Sequence, residues 1–205
     1  MKLLIATGNT HKLREIRAIL SVPGLAIISP REWPQPLPPI DEDGLTFEDN
    51  AIKKAMLTAL ATGLWTLADD SGLEVEALDQ TPGVRSARYA GEPSSDAANN
   101  ALLLENLTEA PNRKARFRCA IALSSPTGRC QVVEGVCAGT LLPAPRGSNG
   151  FGYDPLFVPD GHTRTFAEMP DTEKNAISHR AQALQKARDT WAPLFGSDAA
   201  DWTGR

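Results

Sequence analysis

Short apolar runs alternate with amphipathic segments along the first third of the chain. Residues 2–6 predict a buried strand, and residues 25–29 predict a second, shorter one. Between them, apolar side chains recur at helical spacing over residues 13–20. Another helix is predicted over residues 47–62, with Thr46 as its N-cap and a close-packing face of alanines. The opening pattern is therefore strand, helix, strand, helix.

Longer strands are predicted in the middle of the chain. An apolar run over residues 64–68 predicts a short buried strand, which we expect to end at the carboxylates that follow it. Further strands are predicted over residues 72–78, 116–125 and 130–142. Helices are predicted over residues 96–107 and from Asp171 or Thr172 to about Trp191. The last helix is expected to be continuous.

Two adjacent carboxylates, Asp69 and Asp70, follow the apolar run directly, and Ser71 and Gly72 come next. Charged side chains avoid full burial unless something pairs with them. Paired acids at the end of a core strand therefore indicate a ligand-binding edge of the sheet and a nearby cation. The alternative is a solvated turn, because Asp, Ser and Gly are ordinary turn residues. These residues alone leave the two interpretations about even.

The segment that joins the first strand to the first helix is a candidate phosphate site. Its residues are Thr7, Gly8, Asn9, Thr10, His11 and Lys12. Free N–H groups at a helix N-terminus favour phosphate, and Lys12 and Arg14 add positive charge. The spacing is not that of a Walker A loop. A plain N-capped helix is the alternative, because Thr and Asn cap well.

An acidic segment precedes the second helix and contains Asp41 and Glu42. It could supply a second carboxylate to a metal bound at Asp70, and the sequence leaves open which residue does so. A solvated loop is the commoner fate of such acidic runs. On the helix itself, Asn50 and Lys54 lie one turn apart and therefore share a face.

A glycine-rich segment with two aromatic residues forms the second dense cluster. Phe151 and Tyr153 offer ring faces on which a base could stack, and Gly152 lets the backbone approach a ligand closely. Asp154 ends the group. A flexible loop is the alternative, but two aromatic residues in such company favour a ligand-binding wall.

Basic residues gather at the start of the last predicted helix, where they oppose the helix dipole. They are Lys174, His179 and Arg180, with Ser178 among them. Residues placed against local preference suggest a site. His179 alone would more often be a surface histidine, but its neighbours favour the functional interpretation.

Composition limits the classes of function. The 205 residues carry a net charge of −4, which argues against a general nucleic-acid binder but not against a nucleotide. The three cysteines, Cys119, Cys130 and Cys137, have no zinc-site spacing and fit reduced thiols in the cytoplasm. We expect no signal segment, and no run approaches the roughly 20 apolar residues of a membrane helix.

The candidate residues together suit a site for a magnesium-bound nucleotide. They include acidic residues, basic residues that can bind phosphate, and aromatic rings on which a base can stack. Mg²⁺ usually takes one or two carboxylates together with substrate phosphates and waters. The lysines would neutralise the remaining phosphate charge, and an aromatic ring would hold the base.

Five motifs resemble those of the inosine triphosphate pyrophosphatase family, in order and at compatible spacing, from about Leu3 to about Leu194. They are residues 7–12, residues 69–73, Pro82-Gly83 with residues 86–89, residues 150–155, and Glu173-Lys174 with residues 177–180. Residues 44–47 and 50–52 resemble the bacterial branch of the family. Several separate motifs make this resemblance much more specific than one short pattern.

The resemblance implies an elongated, two-lobed α/β fold with a mixed sheet and an active-site cleft between the lobes. It also implies a homodimer. We expect one domain over residues 1–195, followed by a tail over residues 196–205. The implied reaction is Mg²⁺-dependent hydrolysis of ITP, dITP or XTP to the monophosphate and pyrophosphate.

The resemblance also implies roles for individual residues. Asp70 would be the proton acceptor and a metal ligand, and residues 7–12 would hold the triphosphate. Lys54 is expected to bind phosphate because of its positive charge, independently of the resemblance. Ser71 and residues 151–154 would contact the nucleotide, as would Lys174, His179 and Arg180. One departure is that Asp41-Glu42 stands where this branch often has two glutamates. Two alternatives remain: a Maf-type pyrophosphatase for other modified nucleotides, and a nucleotide-binding module without turnover.

Overall fold

The computed structural model of the chain describes residues 1–196, so residues 197–205 of the predicted tail, including Trp202, lie outside the described residues. The strands are β1 (Lys2–Ile5), β2 (Ala26–Ile28), β3 (Trp65–Val75), β4 (Lys114–Ser124), β5 (Cys130–Leu141) and β6 (Phe157–Pro159). The α-helices are α1 (Thr10–Ile19), α2 (Phe47–Thr62), α3 (Asp96–Asn106), α4 (Asp171–Ile177) and α5 (His179–Gly196). Short 3₁₀ helices cover Glu76–Leu78, Gly83–Arg88 and Phe166–Glu168.

The six strands form one mixed sheet in the order β2-β1-β3-β4-β5-β6. Strand β1 pairs in parallel with both β2 and β3, whereas β5 and β6 are antiparallel. The predicted α/β class and the mixed sheet are therefore confirmed. Within the described residues, no helix has the length and apolar character needed to cross a membrane.

Helix α2 forms where its sequence predicts it. The hydroxyl of Thr46 accepts a hydrogen bond from the N–H of Asp49 and caps the first turn. Alanines at a spacing of four, at positions 51, 55 and 59, are fully buried and form one close-packing stripe. Gly63 ends the helix with φ of +68°, a left-handed conformation that suits glycine. Local sequence alone sets both ends of this helix.

The chain divides into two compact units. Unit 1 contains Met1–Asp70, Ala120–Gly135 and the segment from Gln182 onward, and its core includes the apolar side chains of β1 and the alanine stripe of α2. Unit 2 contains Ser71–Cys119 and Val136–Ala181. Its core is built around three aromatic rings, since the Phe117 centroid lies 4.8 Å from that of Phe157 and 6.0 Å from that of Phe166.

Strand β3 differs from its prediction. It does not end at the carboxylates but continues through Asp69 and Asp70 to Val75, so the division into two strands is wrong. The strand can carry buried carboxylates because partners come from elsewhere in unit 1. Lys12 lies 3.1 Å from Asp69, and Asn50 donates a hydrogen bond to Asp70. These partners are distant in sequence, so the local pattern does not reveal them.

The prediction of one continuous last helix is also wrong. Ser178 has extended backbone angles, φ −64° and ψ 158°, and separates α4 from α5. Its hydroxyl accepts a hydrogen bond from the N–H of Ala181, which is how an N-cap residue starts a new helix. Helix α4 begins after Pro170 rather than after a side-chain cap at Asp171 or Thr172. The break places His179 and Arg180 in the first turn of α5.

Candidate active site

Unit 1 holds a partly buried group of acids and lysines together with one asparagine, which we call the carboxylate–lysine cluster: Lys12, Glu42, Asn50, Lys54, Asp69 and Asp70. Strand β3 positions the two aspartates, which are 1% and 5% exposed. The ammonium of Lys54 donates to Glu42 Oε1 and to the backbone carbonyl of Asp69, both at 2.7 Å. The ammonium nitrogen of Lys54 thus links Glu42 to strand β3.

The charges in this cluster perturb one another. Burial raises the pKa of Asp70 above its ordinary value, although Lys54 and Lys12 act in the opposite direction. Burial by itself lowers the pKa of Lys54, but the carboxylates of Asp69, Asp70 and Glu42 outweigh it, so the pKa is raised. Lys54 therefore remains a cation, and Asp70 holds a proton more readily than an ordinary aspartate does.

Asn9 is the N-cap of α1, which is the feature that the alternative interpretation of this segment expected. Asn9 Oδ1 accepts hydrogen bonds from the N–H groups of His11 and Lys12, and Thr7 Oγ1 accepts one from the N–H of Asn9. Residues 8–11 are exposed. The Lys12 ammonium lies 3.1 Å from Asp69 Oδ2, so the first turn of α1 is tied to a carboxylate of β3. Binding of phosphate by residues 7–12 stays a prediction.

The two acids of the segment before α2 have different surroundings. Glu42 is half-buried and contacts Lys54, whereas Asp41 is exposed. Glu42 is therefore the residue of this pair that belongs to the carboxylate–lysine cluster. The next acid, Asp43, forms an exposed ion pair with Lys53 at 2.6 Å.

Unit 2 holds the second group, the aromatic–basic cluster: Ser71, Phe151, Asp154, Lys174, His179 and Arg180. Asp154 Oδ2 accepts hydrogen bonds from the Lys174 ammonium at 2.7 Å and from the N–H of Phe151 at 2.9 Å. The Lys174 ammonium also lies 4.9 Å from the centroid of the Phe151 ring. The buried Asp154 carboxylate thus holds the backbone of Phe151 and also the Lys174 ammonium beside the Phe151 ring.

The first turn of α5 supplies the rest of this cluster. The guanidinium of Arg180, which is 1% exposed, donates to Ser71 Oγ at 2.7 Å and lies 5.9 Å from the Phe151 centroid. The His179 ring stacks on Phe117 with a centroid distance of 4.7 Å and an interplanar angle of 12°. Both side chains are anchored in the interior of unit 2 rather than extended into solvent.

The position of the Tyr153 side chain contradicts one prediction. Its side chain is 3% exposed and belongs to the apolar core of unit 2, and its hydroxyl donates to the carbonyl of Ser86 at 2.8 Å. Burial raises the pKa of this phenol, so it stays protonated. The prediction that the Tyr153 ring offers a stacking face is wrong, and only Phe151 remains for that role.

A model described as the Ham1 family matches residues 3–190 of the chain. The chain belongs to the Ham1 family. The dITP/XTP pyrophosphatase of Desulforamulus reducens is 51% identical over 197 residues, which are 95% of this chain and 98% of that protein. The dITP/XTP pyrophosphatase of Geobacter sulfurreducens is 52% identical over 190 residues, or 92% of this chain and 95% of that protein.

A solved HAM1 protein from Coxiella burnetii has a similar fold, with a TM-score of 0.87 and 42% identity. The match covers 94% of this chain and 99% of that one. The predicted resemblance to the inosine triphosphate pyrophosphatase family is thus confirmed at the level of both sequence and fold.

The donor set of this Ham1 chain fits a hard divalent cation. Glu42, Asp69 and Asp70 supply three carboxylates against the two ammonium groups of Lys12 and Lys54, so a cation would balance the charge. Among residues 1–196, no three acidic, His or Cys side chains are arranged as a protein-only metal cage. Mg²⁺ does not need one, because substrate phosphates and waters normally complete its octahedron.

Two side chains that support the Ham1 site had no signal in the sequence. Both lie in α3 and hold Gly152: Asp96 Oδ2 accepts from its N–H at 2.7 Å, and Asn100 Nδ2 donates to its carbonyl at 2.9 Å. They are more than fifty positions from Gly152 in the chain, so no local pattern connects them. The sequence predicts that Asn50 shares a helix face with Lys54 but assigns Asn50 no role.

Proposed function

We propose that this chain hydrolyses deaminated purine nucleoside triphosphates (ITP, dITP and XTP) to the monophosphate and pyrophosphate. The carboxylate–lysine cluster carries the proposal, because it places a buried carboxylate of raised pKa among cations suited to phosphate. The relatives named dITP/XTP pyrophosphatase, about half identical over nearly the whole chain, support the substrate class.

In the proposed reaction, Asp70 takes the proton from the water that attacks the α-phosphorus. Lys12 and Lys54 offset the negative charge that develops on the phosphates as pyrophosphate leaves. Asp70 and Glu42 would hold Mg²⁺, which supplies Lewis-acid stabilisation of phosphate oxygens when bound. Residues 7–11, of which 8–11 are exposed, would contact the triphosphate.

The aromatic–basic cluster is the proposed site for the base. Phe151 offers the stacking ring, and His179 and Arg180 are donors that suit the 6-oxo group of hypoxanthine or xanthine. Adenine carries an amino donor at that position and would leave the donors unpaired, which is a costly mismatch. Lys174 adds positive charge beside the ring.

The homodimer that the resemblance implies and the cytoplasmic location that the cysteine content indicates also belong to this proposal. Sedimentation of the purified chain tests the first of these, and fractionation of cells tests the second.

The experiment is a comparison of kcat/KM for ITP, dITP, XTP, GTP and ATP, with pyrophosphate and monophosphate both quantified. We expect the three deaminated substrates to be strongly preferred over ATP and GTP in the presence of Mg²⁺. A preference for other modified nucleotides would instead favour a Maf-type enzyme. Tight binding of ITP without product would favour a non-catalytic nucleotide-binding module.

A further inference from the structure

Asn50 is a buried polar residue in the carboxylate–lysine cluster to which the proposed reaction gives no part. It lies in the first turn of α2 and is 1% exposed. A buried amide needs partners for both its donor and its acceptor, because an unsatisfied group is costly. The identity of those partners indicates what the residue does.

Both ends of the Asn50 amide are engaged by the cluster. Its Nδ2 donates to Asp70 Oδ2 at 2.9 Å, and its Oδ1 accepts from the backbone N–H of Gly44 at 2.8 Å. The Gly44 N–H can only donate, so it fixes Oδ1 on its own side. The NH₂ group must then face the Asp70 carboxylate. The hydrogen bond from the Gly44 N–H therefore determines which end of the Asn50 amide faces Asp70.

The contact with Asn50 also explains why a glycine occupies position 44. A Cβ atom at Gly44 would lie 2.7 Å from Asn50 Oδ1 and 2.8 Å from Asp49 Cβ, too close for a side chain. Its φ is not in the left-handed region, so close approach is the reason that glycine fits here. The loop that carries Glu42 is thereby held against the same amide that contacts Asp70.

We propose that Asn50 is a positioning residue that fixes the direction of the Asp70 carboxylate and couples it to the loop of residues 41–44. A carboxylate is planar, so a bond to one oxygen restricts where the other oxygen points. The inference rests on the proposed function, because it assumes that Asp70 is the proton acceptor.

The test compares Asn50→Ala and Asn50→Leu with a matched control in unit 2. The Leu variant keeps most of the side-chain volume but loses both hydrogen bonds. The control is Asn99→Ala, because Asn99 is 2% exposed and bonds the N–H of Ala90 at 2.8 Å and the carbonyl of Ala87 at 3.1 Å. Tm, kcat and KM for ITP are measured for each protein, and a crystal structure of Asn50→Leu records the Asp70 side-chain direction.

Loss of a group that orients a reacting residue typically costs about 10- to 100-fold, so we expect kcat to fall by that factor while KM changes little. Asn99→Ala should lower Tm about as much as Asn50→Ala does, but its kcat should stay within about three-fold of the wild-type value. In the double variant Asn50→Ala/Asp70→Asn, the Asn50 change should add no further loss, because it acts through Asp70. The Asp70 side chain should be turned from its original direction in Asn50→Leu.

Wild-type kcat in both Asn50 variants, with Asp70→Asn inactive, would overturn the inference and leave the proposed function intact. An additive loss in the double variant would also overturn it. Full turnover by Asp70→Asn would instead refute the role given to Asp70 in the proposed function. If the Asn50 variants do not fold, Gly44→Ala decides by the same kcat criterion, because its methyl group displaces Asn50 without removing it.

Discussion

The ion pair between Asp154 and Lys174 offers a sharp test of how unit 2 is held together. The carboxylate oxygen and the ammonium nitrogen are 2.7 Å apart, and the two side chains are only 4% and 5% exposed. We predict that Asp154→Asn strongly destabilises the protein. The amide can still accept the hydrogen bond from the N–H of Phe151, but it no longer neutralises the buried ammonium.

The expected magnitude follows from that burial. Breaking a buried ion pair by removing one partner typically costs about 3–5 kcal/mol, because a charge is left in the interior. For a chain of this length, 1 kcal/mol corresponds to a shift of about 2–4 °C in Tm, so we expect Tm to fall by roughly 6–20 °C. Thermal unfolding without nucleotide, followed by circular dichroism, measures this shift.

A surface ion pair provides the control. Lys53 and Asp43 are 2.6 Å apart, but their side chains are 36% and 70% exposed. Solvent screens such a pair, so Asp43→Asn should give no measurable change in Tm. The double variant Asp154→Asn/Lys174→Met should recover most of the lost stability, because the buried charge is gone. A Tm for Asp154→Asn that matches that of Asp43→Asn would refute the reasoning.

Three further predictions concern single side chains. Asp70→Asn should lower kcat for ITP by about 10²–10⁴-fold through loss of the general base, and turnover within a few-fold of wild type would contradict that role. Arg180→Ala should shrink the ratio of kcat/KM for ITP to that for ATP, whereas Lys54→Ala should lower both values together; an unchanged ratio in Arg180→Ala would show that other donors read the base. Burial raises the pKa of the Cys130 and Cys137 thiols to about 11, so alkylation by iodoacetamide should be slow at pH 8, accelerate toward pH 11 and be fast in the unfolded chain. Rapid modification of both thiols in the folded protein at pH 8 would contradict this.

Elements whose ends are set by neighbouring residues could be predicted from the sequence. Helix α2 has its cap at Thr46, its alanine stripe and its glycine stop within one continuous segment. Helix α3 and the strands β4 and β5 also lie within a few residues of their predicted positions. In each case the periodicity of apolar residues and the turn residues at the ends give the same answer.

The errors lie where distant residues decide the local structure. Strand β3 continues through two carboxylates because Lys12, Asn50 and Lys54 compensate them, and those partners come from other elements. Ser178 separates two helices although helical periodicity persists on both sides of it. Tyr153 can lie in the core because the carbonyl of Ser86, 67 positions earlier, accepts a hydrogen bond from its hydroxyl group.

The candidate site shows the same division. Residue types and motif order predicted the candidate site residues, and the structure places Lys12 of the predicted phosphate segment beside Asp69. The side chains that orient those groups, namely Asn50 in unit 1 and Asp96 and Asn100 in unit 2, could not be predicted. Orientation depends on hydrogen bonds between elements, which single-sequence periodicity does not record.

The most direct test of the proposed reaction is hydrolysis of ITP in ¹⁸O-labelled water, with Mg²⁺ present and the products analysed by mass spectrometry. Attack on the α-phosphorus by a water that Asp70 deprotonates predicts one ¹⁸O atom in the monophosphate and unlabelled pyrophosphate. Labelled pyrophosphate would place the attack on the β-phosphorus, and inosine diphosphate with labelled orthophosphate would place it on the γ-phosphorus. Either result would contradict the proposed mechanism.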